Sequence, residues 1–298
     1  MISSIPPAPF ALVLSGGGAR GFVHVGVLRA LEARGLRPAA VVGVSMGAVV
    51  ATTYALRDDW YSALLAMDTG AFPRPFRTVG GGRLRLRARA GRLFDYARAT
   101  RDMFLGWGVG THALFAGARL LRGLTLGRNL EDGRIPVAVC ATDLRAGVRV
   151  VLRSGSASAA AYASSALAGV LPPLRRADQL LCDGAYADIA PIDVARSFGH
   201  SIVVAVDAGQ SRASTEIRNG FQALTRAVEI CQLTHARLHF QEADLVLSPT
   251  FARTIDTLDF SARRECVAAG VKAVRGNGTA LRQLLASSTA SPAPTSTS

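Results

Sequence analysis

Residues 12–28, LVLSGGGARGFVHVGVL, carry an apolar run into three consecutive glycines and then resume with helical spacing. Few folds accommodate that order. A buried strand that ends in residues without side chains and turns at once into a helix leaves backbone N–H groups unpaired at the turn, a setting suited to an anion. A second apolar run, AAVVGV at 39–44, reads as another strand, and residues 46–56 begin another helix. Strand, helix, strand, helix argues a parallel sheet with helices on its faces, so the fold class is α/β. Further strands are expected at PVAVCAT (136–142), VRVVL (148–152), LLCD (180–183), SIVVAVD (201–207) and ADLVLS (243–248), with helices near 157–168, 212–240 and 260–285.

The string GVSMG at 43–47 has the form GxSxG and lies between the second strand and the helix that follows. In that context Ser45 sits on a sharp turn with its hydroxyl at a helix N-terminus, and the Met46 N–H points to where an oxyanion forms. A serine hydroxyl is a weak nucleophile unless a neighbour takes its proton. Two sources of that neighbour are open. A histidine would make a triad, and the chain has five: His24, His112, His200, His235 and His239. None stands in a loop after an acidic strand end in the order Ser, Asp, His of an α/β hydrolase. His24 reads as a packed or hydrogen-bonded histidine of the helix after the glycines. The other source is Asp183 in LLCDGAYADIAPID, where an apolar strand ends in Asp-Gly, at the strand terminus where parallel sheets place their sites. Asp143 in CATDL and Asp188 read as structural turn or loop aspartates.

Other readings of the glycines fail on composition. Gly16, Gly18 and Gly21 satisfy GxGxxG, yet AAVVGVSMG supplies no acidic residue at the second strand end to hold a ribose, and no GxxxxGK[ST] string occurs. The four cysteines, Cys140, Cys182, Cys231 and Cys266, form no CxxC pair and read as buried thiols in a reducing compartment rather than a zinc site. The 34 basic residues against 21 acidic ones give a net charge of +13, and Lys272 is the only lysine. Such an arginine excess suits phospholipid head groups, or reflects compositional bias. No groove-reading motif accompanies it, so nucleic acid is not an expected partner.

Four strings occur together, SGGGARG at 15–21, GVSMGA at 43–48, ASSALAGVLPPL at 163–174 and DGAYADIAP at 183–191. In this order the chain resembles the patatin-like phospholipase family, over roughly residues 10–260, and looks like a bacterial member. The resemblance implies a three-layer α/β/α fold with a mostly parallel sheet. It also implies a serine acyl hydrolase that cleaves fatty-acyl esters of phospholipid or lysophospholipid through a Ser/Asp dyad and an acyl-enzyme, with no metal and no cofactor. Carried onto this chain, Ser45 is the nucleophile and Asp183 the general base. Gly16, Gly17 and Gly18, with Met46, form the oxyanion hole, and Arg20 takes the place of the family's basic residue beside the substrate. Gly184 would let the backbone approach Ser45. The alternatives are a Ser-His-Asp esterase on small soluble esters and a lipid-binding protein without turnover.

The domain expected is one acyl hydrolase unit over 9–286, after an N-terminal extension at 1–8 and before a small, polar, proline-bearing tail at 287–298 that reads as disordered. Within it, 72–128 is expected as a basic insertion or lid with an amphipathic helix over 92–105. The arginines at 83, 85, 87, 89 and 92 are the ground for a peripheral membrane contact. The N-terminus lacks a basic leader, and a cytoplasmic location is the expectation. The uncharged stretch 39–56 is as long as a membrane span, but its GVSMGA turn explains it better.

Overall fold

Five-residue apolar runs make the first two strands, β1 (Phe10–Leu14) and β2 (Ala40–Val44), with every residue of both buried, as parallel strands covered on both faces require. The computed structural model describes residues 7–71, 113–209, 217 and 220–287. The remaining strands are β3 (Val137–Asp143), β4 (Val148–Leu152), β5 (Leu174–Arg176), β6 (Gln179–Asp183), β7 (Ile202–Val206) and β8 (Leu245–Leu247). They form one sheet in the order β5-β6-β3-β2-β1-β7-β8, with β4 also on β3. Its centre is parallel, through β3-β2-β1-β7-β8, while β4, β5 and β6 pair antiparallel.

The helices are α1 (Val23–Glu32), preceded by a 3-10 turn at Gly18–Phe22, α2 (Met46–Leu56), α3 (Trp60–Ala66), α4 (Ala113–Leu124), α5 (Ala157–Ser165), α6 (Ile192–Arg196), α7 (Gly220–Phe240), α8 (Arg263–Gly276) and α9 (Gly278–Ser287). Alternate strand residues feed two separate cores. Phe10, Leu12 and Leu14 of β1 pack with side chains of α1, α2, α5 and α8, whereas Ala11 and Val13 pack with Ile192, Val194 and Ala195 of α6 on the opposite face. The result is the expected helix-sheet-helix layering. Part of the stretch expected as an insertion belongs to the larger core, since Leu121 and Leu124 of α4 are buried in it. The basic run at 83–92, the helix expected over 92–105, His112 and the tail from 288 onward lie outside the described residues.

One feature of the registers positions the site. Along one edge of β3, residues Val137 to Cys140 pair with β2, and residues Ala141 to Asp143 pair with β6; β4 occupies the other edge. β2 runs with β3 and β6 runs against it, so their C-terminal ends abut. Val44 lies beside Cys140 and Asp183 beside Ala141. Ser45 follows Val44 directly, and the two candidate residues therefore converge where one ladder hands over to the other.

Candidate active site

The turn from β2 into α2 carries Ser45 at φ 54 and ψ −124, a left-handed conformation unusual for a residue with a side chain. Such strain costs of order 1–3 kcal/mol and persists only where its surroundings enforce it. The glycines on either side show how. A Cβ on Gly47 would stand 2.1 Å from the Leu14 carbonyl oxygen, and one on Gly43 would stand 2.5 Å from the Ala48 Cα. Both glycines let α2 start hard against the ends of β1 and β2, so the chain has no room to relax the turn.

Ser45 Oγ donates to Asp183 Oδ2 at 2.7 Å, and Asp183 Oδ1 accepts the Ala185 N–H at 2.9 Å. Asp183 is 4% exposed and Ser45 9%. Burial pushes the Asp183 carboxyl up to about 6, against the two hydrogen bonds, which pull it down. A carboxylate desolvated in this way is a better base near neutrality than one in water. Gly184 has a different task from the one expected. A Cβ there would meet the Cys140 carbonyl oxygen at 2.1 Å, so the glycine makes room for β3 rather than for Ser45 itself.

The glycine loop crosses beside this pair. The Ser15 and Gly16 amides donate to Val206 and Ile189 carbonyls, and the Ala19 and Arg20 amides to Thr257 and Gly17 carbonyls. Between them the Gly17 and Gly18 amides have no partner among the described residues. Gly18 lies at φ +54, a conformation that favours glycine. The α2 ladder begins with Ala48 and Val49 donating to the Ser45 carbonyl, which leaves the Met46 amide at the open helix end. Gly16 thus differs from the other three expected donors, its N–H being engaged at 3.4 Å. Arg20 is also committed within the protein: its guanidinium donates to the Ile255 carbonyl at 3.1 Å and to Glu229 of α7 at 3.3 Å, and it is 7% exposed. It fastens the glycine loop to α7 and to the segment before α8, in place of the substrate contact expected of it.

His24, His235 and His239 have partners of their own among the described residues. His24 Nε2 bonds the Ser15 carbonyl at 2.8 Å, and full burial holds its ring near pKa 4, hence neutral. His239 Nδ1 lies 3.0 Å from Asp188 Oδ1 and its ring 4.4 Å from that of His235. Asp188 also accepts from Arg149 and from the Ala190 N–H, while Arg149 reaches on to Asp193 at 2.8 Å. This cluster clamps the loop that follows Asp183 to β4 and α7. Asp143 accepts the Arg145 and Leu180 amides, the turn role expected of it.

Two groups at the end of α5 also touch the site. Ser164 Oγ accepts the Ser45 N–H at 2.8 Å and donates to the Cys140 carbonyl at 2.6 Å, and the Ala166 carbonyl accepts the Asp183 N–H at 3.0 Å. In sequence alone, Ser164 carries no visible role. The signal available there was a buried-looking, charge-free helix end rich in small residues, ASSA, within one of the four strings.

The family model described as Patatin-like phospholipase matches residues 12–196, which include Ser45, Ser164 and Asp183. The chain belongs to the patatin-like phospholipase family. Relatives within that family include Patatin-like phospholipase domain-containing protein 7 of Mus musculus, 31% identical over 219 residues that make up 72% of this chain and 14% of the mouse protein. Lysophospholipase NTE1 of Saccharomyces cerevisiae is 32% identical over 212 residues, 70% of this chain and 11% of the yeast protein. This patatin-like chain thus spans a small fraction of the length of the relatives it matches. Among solved structures, VipD from Legionella pneumophila aligns over 94% of this chain and 67% of its own, with 16% identity and a TM-score of 0.42.

Proposed function

We propose that this patatin-like chain is a serine acyl hydrolase that cleaves fatty-acyl esters of lipids, phospholipid or lysophospholipid, with Ser45 as nucleophile and Asp183 as general base. The observation that carries the reading is the 2.7 Å hydrogen bond from the Ser45 hydroxyl to a buried carboxylate. As Ser45 Oγ attacks the ester carbonyl, its proton passes to Asp183, and the negative charge gathers on the former carbonyl oxygen. The Gly17, Gly18 and Met46 amides are the donors for that oxygen, each worth about 3 kcal/mol in the transition state. Collapse expels the alcohol, protonated by Asp183, and leaves an acyl-Ser45 ester. Water then attacks with Asp183 as base and releases the fatty acid. Family membership and the lysophospholipase name of the yeast relative support a lipid ester as substrate.

A histidine is not needed in this scheme, and Asp183 has Ser45 and Ala185 as its side-chain partners among the described residues. Among those residues no helix is long and apolar enough to cross a membrane. Contact with a membrane surface through the arginine run remains part of the proposal, and salt-sensitive pelleting with anionic vesicles tests it. The activity is tested by mass-spectrometric profiling of a mixed lipid extract. Free fatty acid and lysolipid should accumulate with the unaltered protein and not with Ser45→Ala. Equal release by both proteins contradicts the assignment.

A further inference from the structure

Two residues apart at one helix end, Ser164 and Ala166 hold the two halves of the site. The Ala166 carbonyl takes the amide of Asp183, and the Ser164 hydroxyl takes the amide of Ser45. Ser164 is fully buried, and its oxygen stands between the Ser45 N–H and the carbonyl of Cys140, the last β3 residue paired with β2 before the ladder passes to β6. Its neighbour is a control built into the same turn. Ser165 donates instead to the Ala161 and Tyr162 carbonyls of its own helix, an ordinary helical arrangement, with no hydrogen bond to Ser45 or Asp183 among the described residues.

We propose that Ser164 is a positioning residue: its hydroxyl locks the strained backbone of Ser45 to β3, which aims the Ser45 Oγ at Asp183 and turns the Ser45 N–H away from the substrate. The inference rests on the reading of Ser45 as nucleophile. The geometry supports it in three steps. Ser45 keeps its side chain at φ 54 only under restraint. The Ser164 hydroxyl accepts a hydrogen bond directly from that strained residue. With its own amide so engaged, Ser45 contributes only its side chain to the reaction, and the oxyanion falls to the Gly17, Gly18 and Met46 amides.

The test is the rate at which a fluorophosphonate attaches at Ser45, followed by peptide mapping across pH in Ser164→Ala, Ser164→Cys and Ser165→Ala, with melting temperatures alongside. Misplacing a nucleophile by a fraction of an ångström to an ångström costs about 10- to 100-fold, so Ser164→Ala should label about that much more slowly. Losing the aligned Ser45 bond removes one of the two interactions that lower the Asp183 pKa, so the acid limb of labelling should also move to higher pH. Ser164→Cys keeps the shape and weakens both bonds; it should shift the limb the same way by less, and it serves if alanine unfolds the chain. Ser165→Ala should label as the unaltered protein does. Folded Ser164 variants that label at the unaltered rate, or more slowly with an unmoved acid limb, overturn the inference alone. Absence of label at Ser45 in the unaltered protein overturns the reading of the site as well.

Discussion

The Ser45 hydroxyl donates to the Asp183 carboxylate at 2.7 Å although the residues stand 138 positions apart in the chain. The contact follows from register. β2 and β6 meet end to end along β3, and each delivers one of the pair from its C-terminal end.

The first prediction concerns charge burial. Asp183 titrates near 6 in the fold against 3.8 in a solvated chain, so the folded protein holds this proton more tightly than the unfolded one. Stability contributed by the group is therefore full below about pH 4 and declines as pH rises to about 6, by about 3 kcal/mol in all. Asp183→Asn escapes that decline. Its melting temperature should exceed that of the unaltered protein at pH 8, the gap closing toward pH 4, while hydrolysis of a short-chain p-nitrophenyl ester is lost.

A second prediction reads the strain at Ser45. Both Ser45→Ala and Ser45→Gly remove the hydroxyl and should abolish turnover, but only glycine relieves the positive φ. Denaturant unfolding should find the glycine variant about 1 kcal/mol more stable than the alanine variant. The opposite order would show that the turn is not strained.

The third concerns the elbow's packing. A methyl group at Gly47 has the Leu14 carbonyl oxygen 2.1 Å away, so Gly47→Ala must push α2 off the end of β1. Overpacking against backbone of this kind costs about 3 kcal/mol. Unfolding midpoints should fall accordingly, and ester hydrolysis should fall with them because α2 begins at Met46, directly after Ser45.

A fourth tests the clamp on the loop after Asp183. Asp188 is almost fully buried and is held by Arg149, His239 and the Ala190 amide. Arg149→Ala removes the guanidinium beside it and should destabilise by about 3 kcal/mol, since removing one partner strands a buried charge. Thermal melting checks this, and kcat should drop as the loop loosens.

Much of this is legible in the sequence alone. The apolar runs at 10–14 and 40–44, the GxSxG turn and the helix from Met46 to Leu56 stand where the pattern places them, because strand period and turn chemistry are local properties. Pairing is not local. The apolar runs VRVVL and LLCD mark strands but say nothing of their direction, and the antiparallel β3-β6 pairing that brings Asp183 to Ser45 is a contact of distant segments. For the same reason Arg20 looked free to meet a substrate: its partner Glu229 lies 209 positions away. The Gly16 amide and the Ser164 bridge are likewise decided by which carbonyl comes within reach in the fold. The helix expected over 260–285 divides at Asn277, and α3, β5 and α6 are too short for periodicity to reveal.

The dyad itself is tested most directly by labelling with a fluorophosphonate from pH 4 to 9, with peptide mapping of the unaltered protein and of Asp183→Asn. The label should map to Ser45, with a rate that rises through pH 6 as Asp183 ionises, and Asp183→Asn should react slowly and without that rise. Attachment at another serine, or an Asp183→Asn variant that labels at Ser45 at the unaltered rate, would contradict the pairing of these two residues as nucleophile and base.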